Sequence, residues 1–453
     1  MESTPLSRRR FLKHASLALP LSAAVPTALA AAPPAAPERT VSSRNYFDKG
    51  TRLAISMWDF SWLCASHSGG VYEDLERRVI EAAERGYNTL RVDCFPSRIL
   101  ESESRFEKNW DPTVNIPQWG QRAVTFTCNV RKKVAALAAL CRKHQLWLGL
   151  DSWDKAHMLG HDNWDFVIRP AEEEGVFTRY GETWVRALKL MRDDGVLERA
   201  IWVAPMNEVP HFGGRNVEAL TKVGEKSKNE VETQLTKAQR VDAIYRRING
   251  WMAAPIQAEI ARDRIPISYS SLGAEDYRAR LTDHYDLVDV HFMPNVISDA
   301  QDQRDFPGTP FGIARFPGGN VAVLTGQSLS PSTQKYDLGT FSRAWDSACR
   351  RHYGAMLQRG RQYFQAALSH LTLPSGKKLA AIITESFGPC IWPDHPAVSW
   401  DWYKRYNADS LRMIAAMDFK GSTLSNYAEP LFSLWQDVGW HWAGNAYLLA
   451  LTT

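Results

Sequence analysis

The chain has 453 residues, of which 44% are hydrophobic and 23% charged, and its formal net charge is +4. Four of the 54 basic residues and one of the 50 acidic residues lie in the first 30 positions, so the rest of the chain carries only +1. A nearly neutral chain without a basic tract gives no case for nucleic-acid binding. The six cysteines are scattered without the C-x-x-C spacing of zinc or redox sites, so we expect most of them to be small core residues. We expect no metal site and no cofactor.

The amino-terminal 30 residues have the features of an export signal. The basic stretch SRRRFLK (Ser7 to Lys13) precedes an apolar stretch from Ala15 to Val25, which is too short to span a bilayer, and the run ALAAA follows from Ala28. This order resembles a twin-arginine signal peptide. We therefore expect cleavage near Ala30, the twin-arginine export machinery as a partner of the precursor, a periplasmic or extracellular mature protein and no stable membrane anchoring.

The remainder of the chain is predicted to form one domain. Residues 31–44 are rich in Ala, Pro and Ser, which is typical of a disordered linker. Beyond them the composition does not shift again, and we find no internal repeat and no second linker. The simplest division is a signal peptide over 1–30, a linker over 31–44 and a single domain over 45–453.

Short apolar runs alternate with longer helical patterns along this domain. Two of the helical patterns are YEDLERRVIEAAERG (72–86) and VRKKVAALAALCRKH (130–144), whose apolar residues recur at helical spacing. Strand and helix alternating eight times predict an α/β fold, a parallel (β/α)8 or TIM barrel. The eight predicted strands are 53–58, 88–93, 146–151, 201–206, 265–270, 287–292, 380–385 and 421–427.

A long insertion follows the sixth predicted strand. Residues 293–340 are rich in Pro, Gly and Ser and have little helical periodicity. Loops of this length in a compact domain are usually functional or disordered. Because it leaves the carboxyl end of a barrel strand, we expect this βα-loop insertion to lie over the catalytic face and to narrow its mouth.

Two of the predicted strands end in a glutamate. The fourth runs through AIWVAPMNEVPHF (200–212) to Asn207 and Glu208, and the seventh runs through AAIITESFGP to Glu385. One such carboxylate alone could simply begin a solvated loop. Barrel closure, however, brings both glutamates to one rim, where a carboxylic acid and a carboxylate together can cleave a glycosidic bond.

Polar and aromatic residues stand at the other strand ends as well. Polar groups bind sugar hydroxyls, and flat aromatic rings cover the apolar face of a pyranose. A tryptophan can equally be a core residue, and the chain has 17. The candidates for substrate binding at these positions are Trp58, Asp59, Arg91, Asp151, Trp153, His291, Tyr427 and Trp435.

From about residue 50 to 440 the chain resembles the clan A glycoside hydrolases, particularly the cellulase-like enzymes of the family 5 type. In these enzymes an Asn-Glu pair ends strand four and a lone Glu ends strand seven, which Asn207, Glu208 and Glu385 match. The resemblance implies a retaining β-glycoside hydrolase with Glu208 as acid/base and Glu385 as nucleophile, acting on an oligo- or polysaccharide. It also implies that Asn207 binds the sugar 2-hydroxyl, that Arg91 supports the nucleophile and that His291 lines the subsite of the reacting sugar.

Three positions depart from the pattern of these enzymes. Met293 stands where many of them have a tyrosine that touches the nucleophile, Trp153 stands where a histidine is common, and Tyr427 replaces the usual tryptophan. The departures concern the sugar that is bound rather than the reaction.

Two other functions are compatible with parts of the sequence. One is a sugar-binding cellulase-like protein that has lost catalysis while keeping its aromatic groove. The other is a metal-dependent hydrolase, because HMLGH places His157 and His161 at helical i, i+4 spacing, although no His-Glu-x-x-His motif accompanies them. Bound sugar without released product would indicate the first, and a stoichiometric metal the second.

Overall fold

The computed structural model describes residues 52–107, 124–153, 173–208, 236–271, 273, 276–293, 323–325, 328–330, 336–388 and 399–451. The predicted signal peptide, the predicted linker, His157, His161 and most of the insertion over 293–340 lie outside the described residues.

Eight parallel strands form a closed barrel, which confirms the predicted fold. The hydrogen-bonded order is β8-β1-β2-β3-β4 in one run and β5-β6-β7 in another. Single parallel bridges, Val203 to Ile267 and Ile383 to Ser422, join the two runs and close the ring. The strands are β1 (Leu53–Asp59), β2 (Thr89–Asp93), β3 (Trp147–Asp151), β4 (Ala200–Val203), β5 (Ser268–Ser271), β6 (Leu287–Val290), β7 (Ala380–Ile382) and β8 (Gly421–Thr423).

Helices connect the strands. Side chains cap several amino ends: Asp74 accepts from the N–H of Arg77, and Thr236 forms a reciprocal capping box with Gln239. Only one turn of helix fits in the short connection between β5 and β6. The helices are α1 (Leu75–Glu84), α2 (Val130–Lys143), α3 (Glu173–Asp193), α4 (Lys237–Ile260), α5 (Tyr277–Arg280), α6 (Leu338–Ser369), α7 (Asp401–Ala415) and α8 (Val438–Ala450).

Shorter elements extend the loops. After β2, Ser104–Phe106 pairs antiparallel with Phe126–Cys128. Before α6, an antiparallel sheet of three short strands occupies part of the predicted insertion. Its strands are Val323–Thr325, Ser328–Ser330 and Tyr336–Asp337. Two short helices, Ser61–Cys64 and Pro96–Ile99, follow β1 and β2, and 3-10 turns span Val196–Arg199, Ala261–Asp263 and Ser433–Gln436.

A tryptophan fills the interior of the barrel. The ring of Trp202 on β4 lies against Gly149 on β3, where an added Cβ would stand 1.9 Å from a ring carbon. Glycine is therefore required at 149 because any side chain would overlap the indole. The interior cluster around it consists of Leu53, Ile55, Trp147, Ile201, Trp202, Ala204, Leu287 and Ile382. The larger core lies between the strands and the helices.

The described cysteines behave as expected for small core residues. Cys64, Cys94 and Cys141 are buried free thiols, and Cys128 is partly exposed. Among the described helices, none is long and apolar enough to cross a bilayer.

Candidate active site

Arg91 on β2 is the centre of a buried charge network at the carboxyl end of the barrel. Its NH1 donates to Glu385 Oε1 at 2.6 Å, its Nε donates to Asp151 Oδ2 at 2.7 Å, and its NH2 donates to Asp151 and to Asn207 Oδ1. Asp59 Oδ1 lies 4.0 Å from NH1. Burial alone lowers the pKa of Arg91, but Asp151 and Glu385 outweigh that effect and raise it well above its usual range. Arg91 therefore carries a fixed positive charge beneath the site.

Glu385 follows β7 and is held by two donors. Its Oε1 accepts from Arg91 at 2.6 Å and from Asn207 Nδ2 at 3.2 Å. The side chain is only 2% exposed. The two donors orient the carboxylate and offset its charge in this buried position.

Glu208 follows β4 and faces a histidine. Its Oε1 lies 2.7 Å from His291 Nδ1, and its backbone N–H donates to Ser270 Oγ at 3.1 Å. Ser270 in turn donates to Asn207 Oδ1 at 2.6 Å. Through these bonds β5 and β6 fix the direction in which the glutamate points.

His291 follows β6 and lies between carboxylates. Its Nε2 is 3.0 Å from Asp289 Oδ2, and its Nδ1 is 2.7 Å from Glu208 and 3.8 Å from Glu385. Burial lowers the pKa of His291, but the charges of Asp289 and Glu385 outweigh it and hold the pKa well above the ordinary value. An imidazolium is the form that suits this environment.

The two glutamates are close together. One oxygen of Glu208, one oxygen of Glu385 and a ring nitrogen of His291 all lie within 4.8 Å of one another. These are donor types that divalent cations also bind. His291 has a carboxylate at each ring nitrogen, however, and Arg91 stands 2.6 Å from Glu385, so the cluster suits proton transfer better than metal binding.

Asp151, at the end of β3, is a second buried carboxyl group beside Arg91. Burial raises its pKa to about 6, while Arg91 acts in the opposite direction. Its Oδ1 accepts the N–H of Ser152 at 2.7 Å. Asp151 thus holds the guanidinium from the side opposite to Glu385.

The backbone at this rim is strained. Four non-glycine residues that follow or end strands have positive φ angles: Asp59 (46°), Phe95 (49°), Glu208 (50°) and Phe387 (62°). Such conformations are unfavourable for residues with a side chain and concentrate at functional sites. One of the four strained residues, Glu208, also carries the carboxylate that faces His291.

All three predicted sugar-binding tryptophans are buried, and two of them, Trp58 and Trp153, lie near this rim in sequence. Trp58 packs edge-on against Tyr72, with ring centroids 5.2 Å apart, in the layer between strands and helices. Trp153 packs edge-on against Phe60, and its backbone N–H donates to Asp93 Oδ2 at 3.1 Å. Its side chain is 6% exposed.

Tyr427 and Trp435 lie in aromatic clusters. Tyr427 packs against Trp400 and against Phe432, at centroid distances of 5.6 and 4.8 Å. Trp435 stacks on Tyr87, and the guanidinium of Arg85 lies 4.4 Å from its ring centroid. The described contacts of Trp435 are thus with helix α1, with the residues that follow α1, and with helix α8. None of them is with Glu208 or Glu385.

The match to a family of proteins covers most of the chain. Residues 55–448 match the model of a family described as sugar-binding cellulase-like. The chain belongs to this cellulase-like family. No match was found among curated protein sequences.

Several solved structures are similar to this cellulase-like chain. A protein from Parabacteroides distasonis, described as a glycoside hydrolase by assignment only, has a TM-score of 0.62 at 19% identity. The match covers 89% of this chain and 94% of that chain. The protein ZgEngAGH5_4 in complex with a cellotriose has a TM-score of 0.48 at 12% identity, over 90% and 98%. The endo-β-1,4-glucanase B of Bacillus halodurans has a TM-score of 0.46 at 10% identity, over 85% and 57%. The likeness to the Parabacteroides distasonis protein, at 19% identity, concerns the fold alone.

Met293, which stands where many cellulase-like enzymes have a tyrosine, contacts the segment that follows β8. Its sulfur lies 3.6 Å from Asn426 Nδ2. In this chain Arg91 and Asn207 supply the described hydrogen bonds to Glu385.

The structure brings together six of the predicted site residues. It also shows three residues in the same hydrogen-bond network that the sequence did not predict, namely Ser270, Asp289 and Thr384. The sequence did contain a pattern that points to Asp289. Residues two apart on a strand share a face, and Asp289 lies two residues before His291. The six that meet are Arg91, Asp151, Asn207, Glu208, His291 and Glu385, with Asp59 at their edge.

Proposed function

We propose that this cellulase-like protein is a retaining β-glycoside hydrolase that acts on an oligo- or polysaccharide, with Glu385 as nucleophile and Glu208 as acid/base. The observation that carries the proposal is the short distance between the two glutamates, which have oxygens within 4.8 Å of each other. Retaining enzymes have their two carboxyl groups about 5 Å apart, whereas inverting enzymes need roughly 6.5–9.5 Å for an intervening water.

The different partners of the two glutamates suit these roles. Arg91 and Asn207 fix Glu385 Oε1, so that Oε2 is the oxygen that attacks the anomeric carbon. Glu208 instead faces His291, whose Nδ1 lies 2.7 Å from its Oε1. The two carboxyl groups thus have different surroundings, as a nucleophile and an acid/base with separate roles require.

The reaction then has two steps. In the first, Glu208 gives its proton to the departing oxygen as Glu385 forms a bond to the anomeric carbon. In the second, the Glu208 carboxylate takes a proton from water, the water oxygen attacks the anomeric carbon, and Glu385 leaves as a carboxylate. Two inversions retain the configuration of the sugar.

Variants of the two glutamates test the assignment. Glu208→Ala should lose most of its activity on substrates with poor leaving groups and less on activated aryl β-glycosides, which need little protonation. Glu385→Ala should be nearly inactive on both, with roughly a 10⁴-fold or larger loss expected for a missing nucleophile. The measurement is kcat/KM for each variant on a set of aryl β-glycosides with leaving groups of different acidity.

Added azide distinguishes the two residues further. It should restore Glu208→Ala turnover and yield a β-glycosyl azide, whereas Glu385→Ala should yield an α-glycosyl azide because azide enters the space of the missing nucleophile. The same anomer from both variants would contradict the assignment.

A second candidate is a protein of this family that binds sugar without cleaving it. The family description as sugar-binding and the departures at Trp153, Met293 and Tyr427 favour it. Calorimetric binding of an oligosaccharide by wild-type protein, with no product after prolonged incubation, would establish this function instead.

We also propose that the catalytic unit is a single domain over about 45–453 and that the precursor is exported folded by the twin-arginine route. The family match over 55–448 supports the domain limits. The Arg-Arg pair and the short apolar stretch that follows it support the route.

A further inference from the structure

Three buried side chains form a hydrogen-bonded line behind the acid/base. Asp289 Oδ2 lies 3.0 Å from His291 Nε2, and His291 Nδ1 lies 2.7 Å from Glu208 Oε1. Asp289 and His291 are completely buried, and Glu208 is 2% exposed. Solvent therefore does not compete for these hydrogen bonds.

The carboxylate of Asp289 is fixed by the neighbouring strand. The backbone N–H of Thr384 donates to Asp289 Oδ1 at 2.9 Å, and Thr384 Oγ1 donates to Oδ2 at 2.5 Å. Burial raises the pKa of Asp289, but the charge and hydrogen bond of His291 outweigh it and lower the pKa. An ionised carboxylate only accepts hydrogen bonds, so the His291 nitrogen that faces it must carry a hydrogen.

The charges around His291 come from five strands or the loops that follow them, and most of them are negative. Asp289 shares its strand, Glu208 follows β4, and Glu385 follows β7 at 3.8 Å. Arg91 on β2 and Asp151 on β3 lie farther away and pair with each other. The near carboxylates outnumber the cations, which favours a second proton on the imidazole.

We propose that Asp289 is a positioning residue that keeps His291 doubly protonated, so that Nδ1–H donates to Glu208 Oε1 whenever Glu208 is a carboxylate. The proposal rests on the proposed function for the role of Glu208. With Oε1 occupied, Oε2 is the atom that exchanges the proton with the leaving group and with water. The imidazolium also offsets the negative charge that Glu208 acquires in the buried site.

The pH dependence of the site follows from this arrangement. In the wild-type protein, His291 should stay charged throughout the neutral range. In Asp289→Asn the neutral amide no longer stabilises the imidazolium, so His291 should lose its second proton at a lower pH. Glu208 would then lose its cationic partner during the second step, where it acts as a base.

Nitrogen NMR of histidine-labelled protein tests the state of His291 without relying on activity. The chain has 12 histidines, so a His291→Gln variant assigns the signal. We expect both ring nitrogens of His291 to be protonated at pH 7.5 in wild-type protein, and the neutral form to appear in Asp289→Asn. A neutral His291 in wild-type protein, or an unchanged spectrum in the variant, would overturn the proposal.

Kinetics with an activated aryl β-glycoside provide the second readout. For Asp289→Asn we expect kcat to fall about tenfold or more at pH 8 and less at pH 5.5, because the alkaline limb of the profile moves to lower pH, with little change in KM. An equal loss at every pH would indicate a purely structural role and overturn the proposal.

The matched control is Asp286→Asn, directly before the amino end of β6. Asp286 pairs with Lys377 at 2.9 Å and accepts the N–H of Ile267 at 3.2 Å, away from the site. Its pH profile should match that of the wild type. If wild-type protein cleaves no glycoside, the proposed function fails, and the NMR measurement still decides whether Asp289 controls the charge of His291.

Discussion

Glu429, between β8 and α8, is a completely buried carboxyl group outside the reacting pair. Tyr72 Oη donates to its Oε2 at 2.6 Å and Ser61 Oγ donates to its Oε1 at 3.2 Å. Burial nevertheless raises its pKa to about 8, against a usual value of 4.5. At neutral pH Glu429 is therefore protonated in the folded protein and ionised in the unfolded chain.

This difference predicts a loss of stability as pH rises. The contribution of Glu429 is fully present below pH 4.5 and is lost as pH rises towards about 8, because unfolding releases a proton in this window. Relative to Glu429→Gln, the free energy of unfolding of the wild type should fall by up to about 1.4 kcal/mol per pH unit. Urea denaturation of both proteins between pH 5 and pH 8 measures it, and parallel stability curves would contradict the prediction.

Individual residues could be predicted from the sequence where they end a strand. Glu208, Glu385 and Asn207 stand directly after apolar runs, and the structure brings them together. Asp289 was missed because it lies inside a strand of otherwise apolar residues. The contacts of Trp435 with the helix layer could not be foreseen, because proximity to a strand end in sequence does not show which way a loop residue turns.

At the scale of elements, the contact between β3 and β4 depends on Gly149. A Cβ at this position would overlap the Trp202 ring, which is enclosed by the barrel. We expect Gly149→Ala to lower the free energy of unfolding by about 3 kcal/mol, at the upper end of the effect of overpacking a core. Chemical denaturation at pH 7 measures the change.

Gly354→Ala is the matched control for this substitution. Gly354 lies in α6, where an added Cβ meets nothing within 4 Å. Alanine should stabilise the helix there by about 0.5–1 kcal/mol. A Gly149→Ala variant as stable as the wild type would show that Trp202 can move, contrary to the packing described.

The barrel strands were predictable because buried parallel strands are continuous apolar runs between helical patterns. Each of the eight predicted runs overlaps an observed strand, although β4 ends at Val203 and β7 at Ile382, earlier than the runs themselves. The three short strands before α6 were not predicted, since segments of two or three residues have no detectable period.

For the whole molecule, the export route makes a separate prediction. Replacing Arg8 and Arg9 by lysine should hold the precursor inside the cell, because the twin-arginine pair is the proposed recognition element. Fractionation followed by amino-terminal sequencing measures it, with mature protein expected to begin near Ala31. Intact Met1 on protein recovered outside the cytoplasm would count against a cleaved signal.

The central claim is that two glutamates at the carboxyl ends of β4 and β7 act as acid/base and nucleophile. It is tested most directly by proton NMR of the first sugar released from a β-glycoside by wild-type protein, before mutarotation. The oxygens of Glu208 and Glu385 within 4.8 Å of each other predict a β-anomer as the initial product. An α-anomer as the initial product would contradict the account.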